Sequence, residues 1–258
     1  MRLVFEDVSR FDVIHFHCDY LQFPFLERYP CRSVTTIHGR LHTPDLRDLF
    51  DEYPDVPLVS ISDLYTFRKE TGSYLAFLGR ISPEKRLDRA IEIAHQTGRH
   101  LKVAAKIYPE EREYFTQVIV PLMRKSESFV EFVGEIGGQE KDDFLGNAAA
   151  LLFPIDWPEP FGLVMIEALA CGTPVIAWRC GSVPEIVDHG VTGFIVDELK
   201  DAVAAVANVT SLDRRACRKV FEDRFEASRM ARNYLTVYRR LQYAVPSCTS
   251  ERTPSLRQ

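Results

Sequence analysis

Short apolar runs rich in β-branched and aromatic residues recur along the chain, and polar stretches with a helical repeat separate them. Runs at 74–78, 101–105, 129–133, 149–153, 175–178 and 194–196 read as buried strands. Between the first two, Leu87, Ala90, Ile91 and Ala94 give one apolar face at helical spacing. Ser82 is the expected N-cap of that helix and Pro83 its first residue. A second helix is expected over 110–124, tolerating or ending at Pro121, and a short one over 139–146. The stretch 163–170 is apolar all round, which predicts a helix buried on every side, stopped by Gly172 and Pro174. Segments 199–209, 212–225 and 227–243 read as surface helices. Strand–helix alternation of this kind predicts an α/β fold with a doubly wound parallel sheet, complete within residues 74–197.

The first 63 residues have a different texture. Runs at 11–16, 33–37 and 58–61 read as strands, but only 44–53 looks helical, with Thr43 as N-cap and Pro44 at the first helical position. So little helix cannot cover both faces of a sheet. We therefore expect residues 1–63 to be part of a domain, 64–225 to be a complete one, and 226–258 to be a helix followed by a disordered tail from Pro246.

Composition narrows the class without naming a function. With 258 residues, 46% of them hydrophobic and 27% charged, the chain suits a globular protein of one large or two ordinary domains. The net charge of -5 gives no electrostatic case for nucleic acid. No apolar run is long enough to span a bilayer and no signal peptide is visible, which predicts a cytoplasmic protein and leaves peripheral membrane contact open. Six cysteines lie scattered without a C-x-x-C pair and read as reduced thiols.

Candidate chemistry collects where strands end. Strand 74–78 runs into Gly79 and Arg80, with Lys85 in the expected first helical turn. Glycine lets backbone come close, Arg80 offers a planar fork for phosphate oxygens, and Lys85 adds a mobile charge. Two cations at a helix N-terminus oppose its dipole, and a diphosphate would relieve the conflict; two solvated surface charges remain the alternative. Further on, Glu159 precedes the helix at 163–170 and Glu167 lies within it. A buried carboxylate needs a partner, and a helix N-terminus favours an anion. The combination points to a ligand carrying both hydroxyls and phosphates. His15 and His17 share a strand face, but no acidic or cysteine partner is spaced to complete a metal site, so strand packing is the better reading. Ser60 and Ser62 end the strand at 58–61, and Ser182, Pro184 and Glu185 form a turn expected to shape the loop that carries Glu159.

Gly-Arg-Ile-Ser-Pro-Glu-Lys-Arg at 79–86, with Glu-Pro-Phe-Gly-Leu-Val-Met-Ile-Glu at 159–167, resembles the retaining nucleotide-sugar glycosyltransferases of family 4. The resemblance covers about residues 11 to 243 and implies the GT-B fold of two Rossmann-like domains, here with an incomplete N-terminal one. It implies that Arg80 and Lys85 hold the donor diphosphate and stabilise the leaving group. Glu159 would accept from hydroxyls of the transferred sugar, and Phe161, Gly162 and Leu163 would present backbone N–H groups near sugar and phosphate. Glu167 would accept from the ribose, the loop of Gly134, Glu135 and Ile136 would meet the base, and His38 would face the donor sugar. No cofactor and no metal is implied, since the cations take that place; the partners implied are a nucleotide-sugar donor and an unidentified acceptor.

The chain departs from the family pattern in two places. It lacks the opening strand with a glycine-rich loop, and Ser-Ile-Ser-Asp at 60–63 runs almost directly into Leu-Tyr-Thr-Phe-Arg. Either residues of a longer protein are absent or the acceptor domain is reduced. The rivals to a transferase are therefore a catalytically inactive nucleotide-sugar-binding module or fragment, and a GT-B epimerase or phosphorylase. No residue stands out as the cofactor-bearing lysine a phosphorylase needs.

Overall fold

The computed structural model describes residues 10–16, 33–35, 65–126 and 128–244. The expected strand at 58–61, the helix at 44–53, the junction at Asp63–Leu64, the residues His17, His38, Ser60 and Ser62, and the tail from Pro246 lie outside the described residues. The chain divides into two compact units, one holding the described residues 10–16, 33–35 and 231–244, the other 65–126 and 128–230.

In the first unit, strands β1 (Ile14–Phe16) and β2 (Ser33–Thr35) pair in parallel, with Ile14 opposite Ser33. His15 Nδ1 lies 2.7 Å from the Tyr238 hydroxyl, and its ring sits 4.9 Å from that of Tyr234. Among the described residues no group of three or more His, Cys, Asp or Glu side chains is placed to hold a metal ion.

The second unit is built on six parallel strands: β3 (Tyr74–Arg80), β4 (Leu101–Lys106), β5 (Val130–Gly134), β6 (Ala148–Phe153), β7 (Val175–Trp178) and β8 (Gly193–Val196). Their order is β5-β4-β3-β6-β7-β8. The chain grows outward from β3 to β5, then returns to the other side of β3 with β6. That reversal places a crevice at the carboxyl ends of β3 and β6, where open parallel sheets take ligands.

Side chains alternate across the sheet, as pleating demands. Leu75 and Phe77 face α1 (Leu87–Thr97) and α7 (Leu199–Asn208), in a core with Ile91, Val103, Ile176 and Val206. Tyr74 and Ala76 face the opposite layer, in a core with Met165 and Leu169 of α5 (Leu163–Ala170) and Phe221 of α8 (Arg214–Arg224). Residues 165–170 of α5 are all buried, whereas Leu163, at its cleft end, is 44% exposed, so burial is not complete on every side. α4 (Gly138–Gly146) lies beside it, α6 (Val183–Ile186) follows β7, and α9 (Ala227–Ala244) closes the described chain.

Two expectations need correction. The helix predicted from Ser82 does not run through. Pro83–Lys85 is a single 3-10 turn, and Arg86 at φ 54° separates it from α1, so Lys85 belongs to the turn and Ser82 caps nothing with its side chain. The helix predicted over 110–124 is likewise broken. Short α2 (Arg112–Tyr114) widens into a π turn at Phe115–Ile119 before α3 (Val120–Lys125). Pro121 has no N–H and its ring would press on the carbonyl four residues back; widening the preceding turn accommodates both.

A strap at 65–68 crosses the α4–α5–α8 layer. The Thr66 N–H donates to Asp142 at 2.7 Å, the Arg68 N–H to the Cys171 carbonyl at 3.0 Å, and Arg218 donates to the Tyr65 carbonyl. The buried guanidinium of Arg214 gathers four stretches of chain. It donates to the carbonyls of Arg68, Gly146 and Ala148 and to the Thr173 hydroxyl, all at 2.8–2.9 Å. Cys171 and Cys217 are buried free thiols and Cys180 a half-buried one, and burial raises all three, Cys217 to about 12.

Candidate functional site

The crevice at the strand ends contains a cleft of about 310 Å³. Gly79 from β3, Ala104, Ala105 and Lys106 from β4, Glu135 and Ile136 after β5, Lys141 from α4, and Leu163, Val164 and Glu167 from α5 line it. A Cβ added to Gly79 would meet nothing within 4 Å, so the end of β3 is open on that side. Gly134 turns the chain after β5 at φ 84°, which glycine tolerates and other residues resist. Gly162, at φ 75°, caps α5 in a left-handed conformation. Its carbonyl accepts from the Met165 N–H at 2.9 Å, and helix geometry leaves the earlier N–H groups of α5 without intrahelical acceptors.

Glu167 is 4% exposed, and its charge is met by a cation of the protein itself. Lys141 Nζ donates to Glu167 Oε1 at 2.5 Å. The sequence reading gave this carboxylate only a ligand as partner; Lys141 is the residue it missed. Burial, and then the Glu167 charge, push the Tyr65 phenol well above the usual range. Across the cleft Lys106 Nζ pairs with Glu135 Oε1 at 2.9 Å, another contact between residues 29 apart that no local pattern announces.

A second group lies on the loops following β3 and β6. Lys85 pairs with Glu159, which also accepts from Trp157 Nε1 at 2.8 Å. The Lys85 ammonium lies 5.8 Å from the centre of the Phe153 ring. The two loops are stitched together: the Asp156 N–H donates to the Glu84 carbonyl at 2.8 Å, and Asp156 binds Arg86 at 2.7 Å and Arg89 at 3.3 Å. From behind, Ser182 secures the Glu159 loop, its N–H on the Glu159 carbonyl at 3.0 Å and its hydroxyl on the Phe161 carbonyl at 2.7 Å. Phe161 also rests edge-on against Phe225.

Arg80 stands apart. Its guanidinium pairs with Glu84 at 3.0 Å and Glu111 at 3.2 Å and does not line the cleft. Glu111 is buried, and its second oxygen, like the Ser82 hydroxyl, has no hydrogen-bond partner among the described residues. The fold thus brings Gly79, Ile136, Leu163 and Glu167 to one cleft wall and joins Lys85 to Glu159. It sets Gly134 and Gly162 in left-handed turns of the bordering loops, and it turns Arg80 toward two carboxylates. His38 lies outside the described residues.

Comparison with known proteins gives this geometry a context. Residues 66–222 match the family described as Glycosyl transferases group 1. The chain is 30% identical over 163 residues to the D-inositol 3-phosphate glycosyltransferase of Kribbella flavida, covering 54% of this chain and 36% of that protein. It is 29% identical over 205 residues to a probable sucrose-phosphate synthase of Thermosipho melanesiensis, covering 75% and 46%. The chain therefore spans less than half the length of these two relatives. Among solved structures it resembles AviGT4, a glycosyltransferase involved in avilamycin A biosynthesis, at TM-score 0.71 and 25% identity over 95% of this chain and 78% of that one. Anabaena HepE, solved in complex with UDP, shares the fold at TM-score 0.60 and 18% identity, over 91% and 66%.

Proposed function

We propose, from the premise that the chain belongs to the glycosyl transferases group 1, that it transfers a sugar from a nucleoside diphosphate sugar to an acceptor with retention of anomeric configuration. The observation that carries the reading is the position of Glu167. A carboxylate about one turn into α5 faces a cleft at the point where strand order reverses. There it suits ribose hydroxyls, while the N–H groups opening α5 suit phosphate oxygens.

In this reading the base lies near Gly134 and Ile136, and Gly79 and Leu163 let the diphosphate approach backbone. Lys85 exchanges Glu159 for the diphosphate, and the released Glu159 accepts from sugar hydroxyls beside Phe161 and Gly162. Arg80 leaves Glu84 and Glu111 to join Lys85 on the leaving group, where paired cations stabilise developing charge without a metal. The departing diphosphate receives the acceptor proton, so attack and departure share one face of the sugar.

A turnover assay across UDP- and GDP-sugars tests the proposal, with UDP-sugars first because HepE was solved with UDP. Arg80→Ala is expected to lower turnover about a hundredfold, and Glu167→Ala to weaken donor binding. Unchanged activity in both variants would reject the assignment. Donor binding without transfer or hydrolysis gives the non-catalytic binding module instead.

A further inference from the structure

Glu167 is held by a cation of the protein itself. Lys141 reaches from α4 to place Nζ 2.5 Å from Oε1. The Lys141 ammonium also sits 6.0 Å from the centre of the Tyr65 ring. Burial, and then the Glu167 charge, raise that phenol, so it brings no second charge to the pair. Asp142, next along α4, is turned to Thr66 and Arg68 and does not compete for Lys141. A tie between two helices would need no place in the cleft wall, yet both Lys141 and Glu167 line it.

A carboxylate has about four lone-pair sites. With Lys141 occupying one, about three remain, enough for both hydroxyls of a vicinal diol. We propose that Lys141 is a positioning residue that fixes Glu167 to receive both ribose hydroxyls, so that the site selects ribonucleoside over dideoxyribonucleoside diphosphates. The inference rests on the donor-site reading above and adds to it the residue that sets sugar selectivity on the nucleoside side.

Calorimetric titration of the full chain with UDP, GDP and ADP, each beside its 2′,3′-dideoxy form, tests it. The wild type is expected to prefer the diol about tenfold or more. Lys141→Met is expected to lower affinity for the diol form about tenfold and leave the dideoxy form unchanged. Lys141→Arg retains the preference. An equal loss for both forms, or an unchanged ratio in Lys141→Met, would overturn the positioning role. A wild type that binds both forms equally overturns the inference and leaves the donor-site reading standing. A wild type that binds none of the six overturns that reading and the inference with it.

Discussion

Gly181 shows how closely single atoms control the site. Its φ is 54°, and an added Cβ would come 2.5 Å from the Glu159 backbone nitrogen and 2.8 Å from the Pro158 carbonyl carbon. Backbone cannot yield as a flexible side-chain tip can, so Gly181→Ala is expected to displace the Glu159 loop and cost about 2 kcal/mol. Activity should fall further than stability, which paired turnover and melting measurements will separate. At Arg80 the expectation has the opposite sign. Two carboxylates, Glu84 and Glu111, hold this guanidinium, and both would repel a diphosphate. Glu111→Gln removes one competing charge and is expected to tighten UDP binding a few-fold, an effect of about 1 kcal/mol. Weaker binding in that variant would mean that Glu111 presents Arg80 to the ligand instead of withholding it.

Among the elements, the strap at 65–68 carries the clearest dependence on pH. Burial alone would raise the Asp142 carboxyl, but the Thr66 N–H and the Arg68 guanidinium outweigh it and hold the group below its usual range. A lowered folded-state pKa means that the stabilisation is complete above the ordinary carboxylate range and is lost as pH falls through the lowered value. Asp142→Asn is therefore expected to cost about 2 kcal/mol near neutrality and progressively less in acid, as urea titrations at several pH values will show.

The elements also differ in how far local chemistry announces them. The bounds of α5 and β7 match the expected residues, because Gly172 and Pro174 punctuate the chain between them. The turn at 83–85 was misread as the start of α1, because nothing in the side chain of Arg86 signals a left-handed backbone. Of the cleft, the glycines and carboxylates were legible as motif. Lys141 and Lys106 were not, since each meets its partner at a separation of 26 or 29 residues.

Across the whole molecule, the site depends on the reversal of strand order that brings the ends of β3 and β6 together. A ligand seated there touches loops from both halves of the sheet and should stabilise them as one. Free UDP at about a hundred times its dissociation constant is expected to add about 2.7 kcal/mol to unfolding, visible as a rise in melting temperature. Arg214, in the α4–α5–α8 layer, ties the strap to the chain entering β6 and β7 and has a kinetic corollary. Stripping water from its guanidinium is tolerable only once Arg68, Gly146, Ala148 and Thr173 all stand ready as acceptors. Its insertion therefore belongs after the rate-limiting barrier of folding. Arg214→Met should leave the refolding arm of a chevron plot in place and accelerate the unfolding arm, making this arginine a latch on the lifetime of the native state.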